Sequence, residues 1–342
     1  MRLIGRVLTL TDHTRLSSES GKRPGWYKEW HHFCIIGPEL QAVINFSFLG
    51  DNRPAAAPGA RQTRLTLLVH GAEWDGDVWE IPGRDVELNP GRIDLRFGHN
   101  RLLFRDGVFQ LSAALENQPL TLDLALRPTT FPLLRNQAVI GEGTIDWLVV
   151  PRLEASGTLV IGRKVHRLER IPAYHDHNWG HWLWGQDFAW EWGFALPLRG
   201  EAVWSLVYNN LTNRARSQVQ ERKLSLWKGD KLERIFTPDE INVRRQGYLP
   251  RRKTPKFPRV MALIAPEMTT DVPGCVEIEA AAGPDHLWCK FEAQEIAQIV
   301  VPNETDLGET VINEVIGTIQ AGGMVKGEPV EIEGKGFFEF LT

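Results

Sequence analysis

The stretch Leu120-Thr121-Leu122-Asp123-Leu124-Ala125-Leu126-Arg127 alternates a leucine with a mostly polar residue over its whole length. A period of two puts one set of side chains inside and the other in water, the pattern of a half-buried antiparallel strand. The same pattern recurs on either side. Ala42, Ile44, Phe46 and Phe48 alternate with Gln41, Asn45 and Ser47; Leu65, Leu67 and Val69 alternate with Arg64, Thr66 and His70. Ile93, Leu95 and Phe97 follow suit, and Val330 and Ile332 repeat it near the end. Turn signals separate such runs: Asp106-Gly107, Lys228-Gly229-Asp230 and Gly283-Pro284-Asp285. No segment of ten residues or more shows a helical period.

The chain is therefore expected to be all-β. Its 342 residues suffice for two antiparallel barrels of ordinary size. The boundary is expected near residue 180, giving units 1–180 and 181–342. Three stretches read as loops. These are Asp51 to Ala60, Pro128 to Asn136, and Arg244 to Arg259, the last with seven Lys or Arg, three prolines and no acid. The basic stretch is expected to form neither strand nor helix. It is a candidate lid, or a peripheral contact for an anionic membrane surface.

Composition narrows the function classes. With 39 basic and 43 acidic residues the net charge is −4, which speaks against nucleic acid as a partner. Cys34, Cys275 and Cys289 follow no metal-like spacing and read as free thiols of a reducing compartment. The first residues make a poor signal peptide and no apolar run approaches a membrane span, so a cytoplasmic location is expected. Gly-x-Ser-x-Gly, Walker and dinucleotide-binding motifs are absent. Nothing in the sequence speaks to the oligomeric state.

One segment stands apart. Tyr174-His175-Asp176-His177-Asn178-Trp179-Gly180, with His181, Trp182, Trp184, Trp190 and Trp192 after it, gathers five of the 13 tryptophans and three of the ten histidines. As a strand it places Tyr174, Asp176 and Asn178 on one face and His175, His177 and Trp179 on the other. Three readings stay open. The Tyr/Asp/Asn face can look into a ligand cavity. The His-x-His face can hold a metal ion, although no third ligand stands at a telling spacing and no metal is assigned. Or the whole segment can be a hydrogen-bonded junction between barrels. An earlier cluster, Trp26, Tyr27, Glu29, Trp30, His31, His32 and Phe33, reads as an aromatic strand with Glu29 and His31 on one face.

The central motif resembles the signature of the carotenoid 1,2-hydratase (hydroxyneurosporene synthase) and AttH-like family. Glu29-Trp30-His31-His32-Phe33 is similar to that family's early Glu-Trp-Trp-Tyr stretch, and Gly334-Lys335-Gly336-Phe337-Phe338-Glu339 to its C-terminal strand. The resemblance implies two lipocalin-like barrels in tandem and places Tyr174 and Asp176 in a catalytic set. The chain departs from the family at His31-His32, and upstream, where Trp147 stands without the expected histidine.

Hydration of an alkene needs a proton donor, tolerance of a carbocation and a held water. Asp176 is expected to be the general acid in an apolar pocket, with Tyr174 or His177 orienting the water and taking up its proton. Trp179, Trp182 and Trp184 would keep the pocket dry, and an indole face favours a cation. Asn178, His175, Trp30 and Glu29 complete the expected ligand contacts. No cofactor is called for. The competing expectation is a non-catalytic lipocalin-like protein that binds a hydrophobic small molecule.

Overall fold

The computed structural model describes residues 2–17, 24–53, 61–197, 203–249, 254–264 and 272–341. The chain divides into two compact units. One comprises 1–138 with 142–182, the other 139–141 with 183–342. Each is an antiparallel barrel of the lipocalin-like kind, so the fold is all-β with two barrels in tandem.

The sheet of the first unit runs, neighbour to neighbour, Trp74–Ile81, Arg61–His70, Gln41–Gly50, Tyr27–Ile36, Lys164–His181, Gly143–Ile161, Leu120–Pro128, Val108–Ala114, Asn100–Arg105, Asp94–Phe97 and Val86–Leu88. Two features curl it. The unit's first strand, Tyr27–Ile36, pairs with its last, Lys164–His181. The two edge strands are consecutive in the chain, joined through the short turn Gly83–Asp85. The result is an up-and-down cycle, which leaves little edge exposed.

The second unit repeats this plan. Its first strand, Ala189–Pro197, pairs with its last, Glu328–Leu341, and its edges Lys231–Phe236 and Ile241–Tyr248 are again consecutive. The duplication leaves one trace in the sequence: Glu29-Trp30 and Glu191-Trp192 occupy the first strands of the two barrels.

The alternating runs form strands as their pattern demands. Phe46, Phe48, Leu65, Leu67, Leu122 and Leu124 fill the first core; Phe236, Phe291, Phe338 and Phe340 belong to the second. At the Asp106-Gly107 hairpin both residues have positive φ, 55° and 78°, the geometry that lets a two-residue turn follow the strand twist. All three cysteines are free, and no described helix is long and apolar enough to cross a membrane.

Three expectations need correction. Residues Arg2–Thr11 form a ten-residue helix. Its inward stripe is only Ile4 and Leu8, one turn apart, too short to register as a period, while Leu3 and Leu10 are exposed. The helix sits close to the Asp106-Gly107 hairpin: a Cβ on Gly5 would lie 2.9 Å from the Gly107 Cα. The basic stretch also contains strand. Arg244–Tyr248 continues the edge strand Ile241–Tyr248, where charged side chains suit a sheet edge, and Lys256–Phe257 adds a short parallel pairing. Arg245 is turned to the buried Glu191, at 2.6 and 2.7 Å, so this cation is engaged within its own barrel. Pro128 to Asn136 is a connector only as far as Pro132, since Leu133–Ile140 is a strand. Of the other expected loop regions, 54–60 and 250–253 lie outside the described residues.

Candidate functional site

The strand Lys164–His181 carries the central motif and changes character along its length. Its first half is largely solvated; every residue from Ala173 to His181 is buried. That half lies between Tyr27–Ile36 and Gly143–Ile161, with Asp176 opposite His32 on one side and Val149 on the other. Gly180 is required by this packing, because a Cβ there would meet the Thr144 carbonyl oxygen at 2.1 Å. Polar side chains consequently occupy both buried faces of a single strand.

The core face carries His175, His177 and Trp179, next to Tyr27, Glu29, His31 and Phe33 of the first strand. The end of the N-terminal helix brings Asp12 against them. Asp12 Oδ2 lies 3.0 Å from His175 Nε2, and Asp12 Oδ1 lies 2.9 Å from His177 Nδ1. His177 Nε2 is 2.9 Å from Glu29 Oε1. Glu29 also accepts from the Tyr27 hydroxyl and from the Arg15 backbone N–H. His175 Nδ1 faces the His32 carbonyl oxygen at 2.9 Å. His31 stacks on His177 with ring centroids 3.9 Å apart, and neither of its nitrogens has a hydrogen-bond partner.

Burial dominates the electrostatics here, and local charges decide its outcome. It opposes ionisation of Asp12, yet the charge and hydrogen bonds of His175 and His177 hold that carboxyl well below the usual range. Glu29 is raised by burial, only partly offset by its donors. Burial works against a charged His177, but the two carboxylates outweigh it and raise its pKa. His31 is driven well down, by burial first and then by the charge of His177.

The opposite face carries Tyr174, Asp176 and Asn178. The Tyr174 hydroxyl donates to Asp176 Oδ2 at 2.9 Å, and the Asn178 amide donates to Asp176 Oδ1 at 2.7 Å. Asp176 is 4% exposed. Across the pairing stand Cys34, His32 and Trp30, opposite Tyr174, Asp176 and Asn178 in that order. His32 is kept neutral, its pKa pushed down to about 3 by burial and then by the charge of His175. Its Nε2 lies 3.0 Å from Cys34 Sγ. Trp30 meets Trp182 edge to face at 5.5 Å, and the buried Lys28 ammonium donates to the Trp182 carbonyl at 2.7 Å.

The expected site residues thus separate into two groups. Tyr174, Asp176 and Asn178 are together, with Trp30 opposite Asn178 and Trp182 against Trp30. His175, His177, Trp179 and Glu29 form a second cluster on the core face. Trp179 lies in the first hydrophobic core beside His177, at 4.7 Å between rings, so Trp30 and Trp182 supply the indole surface on the Asp176 side. Trp184 falls in the second unit, against Phe188 and Trp190. Asp12, Lys28 and His32 are not among the expected site residues. For His32 the signal was present, since two-residue alternation puts it on the face of Trp30. For Asp12, 163 residues from His175, there was none.

No protein-family model matches the sequence, and no curated protein matches it. Solved structures do. A protein described as an AttH (NE1406) from Nitrosomonas europaea matches with a TM-score of 0.64 at 15% identity, over 95% of this chain and 94% of that one. Kievitone hydratase from Nectria haematococca matches at 0.61 and 13% identity, over 98% and 91%. CghA, in its structure with Sch210972, matches at 0.59 and 11%, over 93% and 88%. The chain has the AttH-like fold. At these identities the likeness is one of fold, and the roles of residues in this AttH-like chain rest on its own geometry.

Proposed function

We propose that this chain is a hydratase or cyclase acting on an apolar isoprenoid- or polyketide-type small molecule, with Asp176 as its general acid. The observation that carries the reading is the Tyr174–Asp176–Asn178 constellation, a buried carboxyl with Tyr174 and Asn178 donating to its two oxygens, beside a neutral His32 and the Trp30–Trp182 pair. That kievitone hydratase, a hydratase by name, shares the fold supports the reaction class.

The chemistry needs Asp176 protonated at rest. For hydration, the Asp176 proton passes to one alkene carbon and leaves a carbocation on the other. Water oxygen then bonds to the cationic carbon, and the proton it sheds returns to the Asp176 carboxylate. For cyclisation, a second double bond of the same molecule takes the place of water, and the proton lost from the cyclised cation returns in the same way. Asn178 and Tyr174 hold the carboxyl through both steps, and Tyr174 can relay the proton. Indole surface tolerates the cation.

A second reading is non-catalytic retention of an apolar ligand. It is favoured by the same two hydrogen bonds, since both Asp176 oxygens already have donors from their own strand. Incubation with candidate terpenoid and polyketide alkenes in oxygen-18 water, followed by mass spectrometry, separates the two. A labelled alcohol or an isomeric ring formed by the natural chain and lost in Asp176→Asn supports catalysis. Turnover undiminished in Asp176→Asn overturns Asp176 as the acid, and ligand bound but unchanged favours retention.

A further inference from the structure

The core-face cluster is not used by the chemistry assigned to Asp176, and one of its side chains, His31, has no hydrogen-bond partner. Opposite the His32 carbonyl, which only accepts, His175 Nδ1 must carry its hydrogen. Its Nε2 faces a carboxylate oxygen of Asp12 at 3.0 Å. Either a proton on Nε2 or a bound cation bridges that pair. His31 is the exception. It is fully buried, neither ring nitrogen has a hydrogen-bond partner, and they lie 4.0 Å from Asp12 Oδ1 and 3.8 Å from Glu29 Oε1. Buried polar atoms are nearly always partnered, so an unpartnered imidazole aimed between two carboxylates calls for an explanation.

We propose that Asp12, His31 and His175 bind a divalent first-row transition-metal ion, zinc in the first instance, inside the first barrel. One ligand atom from each of the three lies within 4.8 Å of the other two. Tetrahedral zinc with bonds of 2.0–2.1 Å needs neighbouring ligands about 3.4 Å apart, so His31, now 4.0 Å from Asp12 Oδ1, is the ligand that must move closer. His177 Nδ1 stays on the other Asp12 oxygen at 2.9 Å and steadies that carboxylate from outside the ligand set. Imidazole nitrogens with one carboxylate suit zinc and its neighbours rather than calcium or magnesium. The His175 Nδ1–H bond to the His32 carbonyl is the outer contact that typically fixes a metal-binding histidine in the right tautomer. All three ligands are buried in the core of the barrel. The site fastens the end of the N-terminal helix to the two strands that carry Glu29–Trp30 and Tyr174–Asn178, and it lies on the face opposite Asp176.

The test is the metal content of the full chain, purified without chelator from zinc-supplemented medium and measured by inductively coupled plasma mass spectrometry. About one ion per chain is expected, with metal affinity at least about tenfold lower in His31→Phe. Because His31 makes no hydrogen bond and stacks on His177, phenylalanine preserves the stack and removes only the ligand. Metal-free protein that takes up neither zinc nor cobalt on refolding overturns the proposal, as does His31→Phe with undiminished metal. Should that variant not fold, absorption of the cobalt-substituted natural chain decides. Tetrahedral nitrogen–oxygen ligand bands support the site, and a spectrum of aquated cobalt overturns it.

Discussion

Tyr174 and Asp176, two residues apart on one strand, point the same way and are joined by a 2.9 Å hydrogen bond from phenol to carboxylate. The same carboxyl is held from the other side by Asn178 at 2.7 Å. Local strand geometry, not a loop, therefore orients the proposed acid, and rigid elements hold such constellations better than loops do.

Replacing the acid should separate chemistry from folding. Asp176→Asn keeps the shape of the side chain and removes its acidity, so turnover should fall about 10²- to 10⁴-fold. Tyr174→Phe should lower turnover less and cost about 1–3 kcal/mol of stability, because Asp176 loses a buried partner. Steady-state kinetics beside denaturant melts checks both. Equal losses of stability in the two variants, with turnover intact, would reduce the constellation to a packing device.

The other face of the strand holds a buried ionic arrangement. His177 lies between Asp12 and Glu29, at 2.9 Å from each. His177→Leu leaves both carboxylates without that partner in a dry core, and breaking such a buried arrangement costs about 3–5 kcal/mol. The urea midpoint should drop accordingly.

The N-terminal helix is held by few contacts, so it should respond to single changes. Leu8 is fully buried, and Leu8→Ala should destabilise by about 2–5 kcal/mol. Gly5→Val should lift the helix from the Asp106-Gly107 hairpin, since even a Cβ meets the Gly107 Cα at 2.9 Å. Hydrogen exchange at Leu8 to Asp12 would then accelerate while that of the Leu120–Pro128 strand stays slow.

In the second barrel Glu314 and Glu339 face each other across neighbouring strands and share a hydrogen bond, and Trp190 donates to Glu339. Burial raises the Glu339 carboxyl to about 7 from its ordinary 4.5, more than those two bonds lower it. The folded chain therefore keeps a proton that the unfolded chain releases. The associated stability is full below pH 4.5 and is lost as pH rises through about 7, amounting to no more than roughly 3 kcal/mol. Glu339→Gln should flatten that segment of the stability–pH curve, as followed by thermal melts from pH 4 to about 8.

Part of this was legible because strand alternation is a local property. Leu120–Leu126 and Ala42–Phe48 announce strands through neighbours two residues apart, and the same periodicity divided Tyr174, Asp176 and Asn178 from His175, His177 and Trp179. It also placed Glu29 and His31 on one face of their strand. The N-terminal helix escaped because Ile4 and Leu8 are too short a stripe to carry a period. The Arg244–Tyr248 strand escaped because a proline-broken run of charge carries no strand period, whereas Arg245 turns inward to Glu191.

What the sequence determined by itself was the all-β architecture and the composition of each face of the central strand, since both depend on residues adjacent along the chain. Only the tertiary structure decided what those faces meet. Alternation predicts one dry face and one wet one, but here both are buried from Ala173 to His181, so polarity no longer marks inside from outside. Barrel closure brings the first strand against the last, sets His31 on His177, and docks a helix whose Asp12 lies 163 residues from His175. Contacts of that span depend on how the whole sheet curls, and no local pattern encodes them.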